Sequence, residues 1–92
     1  MADDRDIERA IVELLAARAP QASICPSEVA RALFAPRWRD AMPRVRGVAS
    51  GLAQAGRIGV TQGDAVIAPA AVTTVSGPIR LRRGPRFEAT DD

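Results

Sequence analysis

Cys25 is the chain's one cysteine, and it stands directly before Pro26 at the start of a predicted helix. A thiolate at a helix N-terminus can act as a nucleophile, because the helix dipole favours the anion. The sequence contains no histidine, so the base that usually activates a cysteine is absent. We therefore interpret Cys25 as a helix cap or packing residue, and we expect the protein not to be an enzyme.

Three carboxylates and a glycine-rich stretch are the other candidates for chemistry. Glu28, Asp40 and Asp64 lack the spacing of a catalytic pair, and helix caps and turns account for all three. The stretch GRIGVTQG lacks the lysine and the spacing of a phosphate-binding loop. One cysteine without histidine offers neither an internal disulfide nor a set of zinc ligands. We therefore expect no metal and no cofactor.

The basic residues of the chain are all arginine, and their distribution is uneven. Residues 1–19 carry three Arg against five acidic residues, residues 20–86 carry ten against three, and residues 87–92 carry three acids and no base. A basic middle between two acidic ends favours contact with a polyanion. The alternative is that arginine simply supplies ordinary surface charge, and the net charge of +2 does not decide between the two.

No targeting or membrane segment is visible in the sequence. The first residues, MADDRDIERA, lack the positive start and apolar run of a signal peptide. No stretch reaches the roughly 18 apolar residues that a membrane span needs. The single cysteine fits a reducing compartment. We expect a cytoplasmic protein without a membrane partner.

The first element is an amphipathic helix, followed by a brief extended piece. Apolar residues recur at helical spacing at Ile7, Ala10, Ile11, Leu14 and Leu15. Asp3 or Asp4 can cap this helix, which ends before Pro20. Ser23 and Ile24 are too short for an independent strand, and we expect them to pair with a strand elsewhere.

The second helix begins at Cys25, which we predict to be its N-cap. Pro26 then occupies the first helical position, where its missing N–H has no cost, and the Glu28 carboxylate can reach back to the cap. The helix ends near Ala35, because Pro36 disfavours a helical residue before it.

The third helix is predicted to begin with Asp40 as its N-cap and to end at Gly56. Its core stripe consists of Met42, Val45, Val48, Ala49 and Leu52. Its opposite face carries small and polar residues, namely Arg44, Gly47, Gly51 and Gln54.

The remaining segments predict β-structure. The stretch RIGVTQGDAVIAP predicts a hairpin with Gly63 and Asp64 in its turn. The alternation in PIRLRR predicts a half-buried strand with Arg80 and Arg82 on its solvent face. We expect one domain over residues 1–86 and an acidic, frayed tail over residues 87–92.

This order of elements predicts an α+β fold, a winged helix-turn-helix with a three-helix core, a C-terminal hairpin wing and a further strand. In DNA-binding versions the third helix enters the major groove, and flanking residues contact phosphates. We predict a DNA- or RNA-binding module led by Arg44 and Arg46. The full predicted site is Arg39, Arg44, Arg46, Arg57, Arg80 and Arg82.

The same fold could instead bind a protein partner or a second copy of itself. Gly47 and Gly51 stand where larger polar side chains would read bases, and each glycine costs a helix about 0.5–1 kcal/mol. Either close approach by another molecule or simple sequence drift at exposed positions would explain these two glycines. The apolar segment around Val72 and Val75 is a second docking candidate. Trp38, between two arginines, either stacks on a base or closes one end of the core.

Four stretches, ICPSEVARAL, WRDAMPRVR, GRIGVTQG and GPIRLR, together resemble a family of small bacterial proteins known only as a domain of unknown function. They span roughly residues 5–82. The resemblance implies a winged-helix-like fold and brings no activity, cofactor or catalytic residue to this chain. The stretch IAPAAVTTVSG is longer than the usual link before GPIRLR, so the path of residues 68–77 is left open.

Overall fold

Three helices and four short strands make up residues 2–89, which are the residues that the computed structural model describes. The helices are α1 (Asp4–Ala16), α2 (Pro26–Phe34) and α3 (Trp38–Gln54). The strands are β1 (Ser23–Ile24), β2 (Ile58–Gln62), β3 (Ala65–Val66) and β4 (Arg80–Arg83). The predicted α+β class is confirmed, and the order of elements is compatible with a winged helix.

The four strands form one antiparallel sheet in the order β1-β4-β2-β3. The brief extended piece joins this sheet as predicted, because Ser23 pairs with Arg82 and Ile24 pairs with Leu81. The predicted hairpin of β2 and β3 is present, with Thr61 opposite Val66. The further strand β4 lies between β1 and β2, so the last strand in the sequence has an interior position in the sheet.

An aliphatic core fills the space between the helices and one face of the sheet. Strands β1, β2 and β4 contribute side chains that alternate along the strand, and the helices contribute the predicted stripes. The fully buried side chains include Ile7, Ile11, Leu15, Ile24, Val29, Val45, Val60, Val72, Ile79 and Leu81. Each such side chain contributes about 1.5–3 kcal/mol relative to an exposed one.

The first two helices begin as the sequence predicts. Asp3 caps α1 in a reciprocal pair with Asp6, in which each backbone N–H donates to the other carboxylate at 2.9 and 3.1 Å. At α2 the Cys25 N–H donates to Glu28 Oε2 at 2.9 Å. Both arrangements satisfy backbone donors that lack a partner within the helix.

The predicted start of α3 at Asp40 is wrong, because the helix begins earlier, at Trp38, with Arg37 as its N-cap. The Asp40 N–H donates to the Arg37 carbonyl at 3.1 Å, so Asp40 lies within the first turn. Trp38 packs against the core, and the guanidinium carbons of Arg31 and Arg39 lie 4.3 and 4.6 Å from its ring centroid. These contacts hold Trp38 in the helix rather than in the preceding loop.

Residues 68–78, which we call the strap, cross one flank of α3. The strap contains a short 3-10 turn, Pro69–Ala71, and it is anchored by Val72, which is 0% exposed. The Ser50 hydroxyl donates to the Pro69 carbonyl at 2.8 Å. The interpretation of the Val72 segment as an exposed docking surface is wrong for Val72 itself, because this side chain belongs to the core.

The chain after β4 turns back over the end of α3. Gly84 has to be a glycine, since a Cβ there would lie 2.5 Å from the Gly56 carbonyl oxygen. Phe87 packs against the core, and the Arg83 guanidinium carbon lies 4.8 Å from its ring centroid. The predicted frayed tail begins at Phe87, and its last three residues, 90–92, lie outside the described residues.

Candidate nucleic-acid interface

The six arginines of the predicted site are divided among several parts of the fold. Arg57 lines the groove between α1 and α3, Arg44 is bound to Asp4 at the start of α1, and Arg46 lies under the strap. Arg39 lies in the first turn of α3. Arg80 and Arg82 lie on the solvent side of the sheet. The structure therefore does not gather the predicted site into one cluster.

Two of these arginines, Arg44 and Arg57, are paired with acids of α1. Arg44 Nε lies 2.9 Å from Asp4 Oδ1, and Arg57 NH1 lies 3.2 Å from Glu8 Oε1. Exposed pairs of this kind contribute little to stability, about 0–1 kcal/mol. The pairs matter more for the charge of the surface, because the carboxylate beside each guanidinium offsets its positive charge.

Arg46 acts as a clamp on the strap. Its NH1 donates to the Val75 carbonyl at 2.9 Å, and its NH2 donates to the Gly77 carbonyl at 2.7 Å. Gln62 holds the same stretch from the sheet, with Nε2 donating to the Ser76 carbonyl at 2.7 Å. Both terminal nitrogens of Arg46 are thus directed at the protein's own backbone.

Arg39 lies against Trp38, as described above, and it makes no ion pair with any of residues 2–89. Arg31 lies against the same ring. Guanidinium groups thus contact the indole that was a candidate for stacking on a base. The packing of Trp38 against the core supports the interpretation that it closes one end of the core.

We use the name outer sheet face for the side of the sheet opposite the core. Its residues are Ser23, Gly59, Thr61, Arg80 and Arg82, together with the exposed Val66, which pairs with Thr61. The strands contain no Asp or Glu. Arg82 lies opposite Gly59, and its side chain makes no hydrogen bond or ion pair within residues 2–89. Its positive charge is therefore directed at solvent.

Arg80 is the second arginine of the outer sheet face, and its partners are neutral. Nε donates to Ser23 Oγ at 3.0 Å, NH2 donates to the Ser23 carbonyl at 3.1 Å, and NH1 donates to Cys25 Sγ at 2.7 Å. Unlike Arg44 and Arg57, Arg80 keeps its charge without a bonded carboxylate.

Glu28 is the acidic residue nearest to this arrangement, and its oxygens have other partners. Oε1 accepts from Arg18 at 2.7 Å, and Oε2 accepts from the Cys25 N–H. The hydrogen bond from Arg18 lowers the pKa of Glu28 below its ordinary value of 4.5. The Cys25 N–H and the charge of Arg80 lower this pKa further, against the raising effect of partial burial. Glu28 therefore stays ionised at neutral pH.

Arg83 has a structural role that the sequence reasoning missed. Its NH2 donates to the carbonyls of Leu15 and Arg18 at 3.1 and 3.0 Å and reaches the Ala16 carbonyl at 3.4 Å. These carbonyls lie in the last turn of α1 and just after it, where the regular bonding of the helix ends. The sequence does contain an indication of this role, because the alternation along β4 places Arg83 on the same face as Leu81, towards the core.

The exposed face of α3 has open space at both of its glycines. Nothing lies within 4 Å of the position that a Cβ would take at Gly47 or at Gly51. Neither glycine is therefore required by packing within residues 2–89. This face offers few side chains that could hydrogen-bond to base edges.

Within residues 2–89, no group of three or more His, Cys, Asp or Glu side chains could hold a metal ion. None of the three helices combines the length and the apolar character that crossing a membrane requires. The charged groups that the described part of the chain offers for binding are therefore mainly arginine side chains.

A search of the curated proteins returns no match to this sequence. The sequence does match a family model, in agreement with the resemblance carried by its four motifs. The matching model is the one described as protein of unknown function (DUF3253), over residues 4–84, and the chain therefore belongs to that family.

Proposed function

We propose that the protein is a non-enzymatic nucleic-acid-binding module that contacts backbone phosphates through its outer sheet face. One observation carries the proposal. Arg80 and Arg82 lie side by side on that face, without a bonded carboxylate, whereas Arg44 and Arg57 are paired with acids. A guanidinium without a bonded carboxylate can replace the counterions of a phosphate directly, and a paired one must first break its ion pair.

The spacing of the two arginines suits a phosphate backbone. Residues two positions apart on a strand are roughly 7 Å apart. Phosphates of one DNA strand follow one another at about 3.4 Å along the helix axis, so this distance corresponds to two phosphate steps. Gly59 lies next to Arg82 on the neighbouring strand. Because glycine has no side chain, none projects from the sheet at that position. A backbone can therefore approach the face closely.

The expected binding is largely independent of sequence. The exposed face of α3 has glycine at positions 47 and 51, where a reading helix would carry long polar side chains. The outer sheet face has no aromatic residue to stack on unpaired bases. Phosphate contacts remain, and these fix orientation without reading bases.

The test is fluorescence anisotropy of a labelled random-sequence duplex and of a labelled single strand, titrated at about 50 and 200 mM salt. We expect binding that falls steeply with salt, and Arg82→Ala should lower the salt slope by about one unit. Arg44→Ala, which also removes one positive charge, is the matched control and should leave the slope nearly unchanged. Absence of binding to both probes at low salt would reject the proposal.

Self-association through the exposed face of α3 is the second candidate function. It is favoured by the open space at Gly47 and Gly51, because residues 2–89 give no internal reason for two glycines in this helix. Close approach by a helix of a second copy would supply one. Light scattering over a concentration series tests this candidate, and a constant monomer mass would reject it.

A further inference from the structure

We propose that Ser23 and Cys25 are positioning residues that hold the Arg80 guanidinium in one orientation on the outer sheet face. This inference rests on the proposed function, and it adds the residues that prepare one of the two phosphate contacts. Three of the five N–H donors of Arg80 are directed at Ser23 and Cys25. The remaining two are available to an anion.

The backbone pairing of β1 with β4 fixes where these partners lie. Ser23 pairs with Arg82, and Ile24 pairs with Leu81, so the chain places Cys25 next to Arg80. Cys25 is itself fixed, because its N–H is bound to the carboxylate of Glu28 at the start of α2. The acceptors of Arg80 therefore belong to a rigid junction between a strand and a helix.

Neutral partners orient a guanidinium without cancelling its charge. A carboxylate in the same place would form an ion pair, as Asp4 does with Arg44, and would weaken the attraction for phosphate. The hydroxyl, carbonyl and thiol of the junction instead restrict the rotamers of Arg80 before any ligand arrives. A side chain ordered in advance loses less entropy on binding. Arg82, which has no such partners, is expected to gain nothing from this junction.

The test compares variants of the junction with variants of the arginines, using anisotropy of the labelled duplex. Arg80→Ala should lower the salt slope by about one unit, because it removes a charge. Ser23→Ala and Cys25→Ala should weaken binding by about two- to tenfold at low salt and leave the salt slope unchanged, because the charge remains. Cys25→Ser, which keeps an acceptor and a helix cap, should restore most of the affinity.

The outcomes separate this inference from the proposed function. If Arg80→Ala and Arg82→Ala both bind like the parent protein, the proposed function fails and the inference with it. If Arg80→Ala lowers the slope while Ser23→Ala and Cys25→Ala bind like the parent, only the positioning role is overturned. Urea unfolding of each variant identifies loss of structure, and Ser23→Ala alone decides the question if Cys25→Ala proves unstable.

Discussion

At the scale of single residues, arginine has several different uses among residues 2–89. Arg44 is paired with a carboxylate, Arg46 and Arg83 hold backbone carbonyls, and Arg82 is directed at solvent. The sequence predicted Arg80 and Arg82 on the solvent face from alternation alone. It could not show that Arg46 is clamped on the strap, because that contact joins residues about thirty positions apart.

The clamp on the strap should be measurable as stability. Arg46→Ala removes two hydrogen bonds to the carbonyls of Val75 and Gly77, so we expect the free energy of unfolding to fall by about 1–3 kcal/mol. Urea denaturation measures this change. Arg82→Ala removes the same charge without a hydrogen bond and should change the free energy by less than about 0.5 kcal/mol. Equal effects of the two substitutions would contradict the clamp.

The ion pair of Arg18 with Glu28 makes a prediction for acid pH. Because the folded-state pKa of Glu28 lies below its ordinary value of 4.5, its contribution to stability is fully present above that value. This contribution is lost as the pH falls through the folded pKa. Thermal unfolding followed between pH 6 and pH 3 should therefore show a smaller acid loss in Glu28→Gln than in the parent protein. An identical acid loss in both would show that the pair does not matter.

At the scale of elements, local signals succeeded where one residue type decides the backbone. Pro26 and Glu28 marked the start of α2, and the positive φ of Gly56, +78°, marks the end of α3 as predicted. The predicted start of α3 was wrong because the packing of Trp38 against the core overrides the capping preference of Asp40. The position of β4 between β1 and β2 could not be predicted, since strand order depends on contacts distant in sequence.

The glycines of α3 give a prediction for the whole helix. Gly47→Ala and Gly51→Ala each add a Cβ into open space, so each should raise the free energy of unfolding by about 0.5–1 kcal/mol. Urea denaturation checks the sign. The same variants would lose self-association, measured by light scattering, if a second copy packs closely there. A loss of stability in either variant would show that the helix face is not open.

At the scale of the whole molecule, folding redistributes the charge that the sequence displays. The basic middle segment supplies both arginines of the outer sheet face, but the acids of α1 pair with two of its other arginines. Asp4 and Glu8 lie beside Arg44 and Arg57. No linear count of charges reveals this pairing, because the partners are about forty positions apart or more. What remains unpaired includes the arginines of the outer sheet face.

Under the proposed function, we expect the location of positive charge on the outer sheet face, rather than net charge, to determine nucleic-acid binding. The salt dependence of duplex binding should be compared in two charge-matched double variants, Arg80→Ala with Arg82→Ala and Arg44→Ala with Arg57→Ala, the second of which removes arginines that are paired with acids. We predict that the first variant lowers the salt slope by about two units and that the second stays close to the parent. Equal losses in both variants, or a larger loss in the second, would contradict the account.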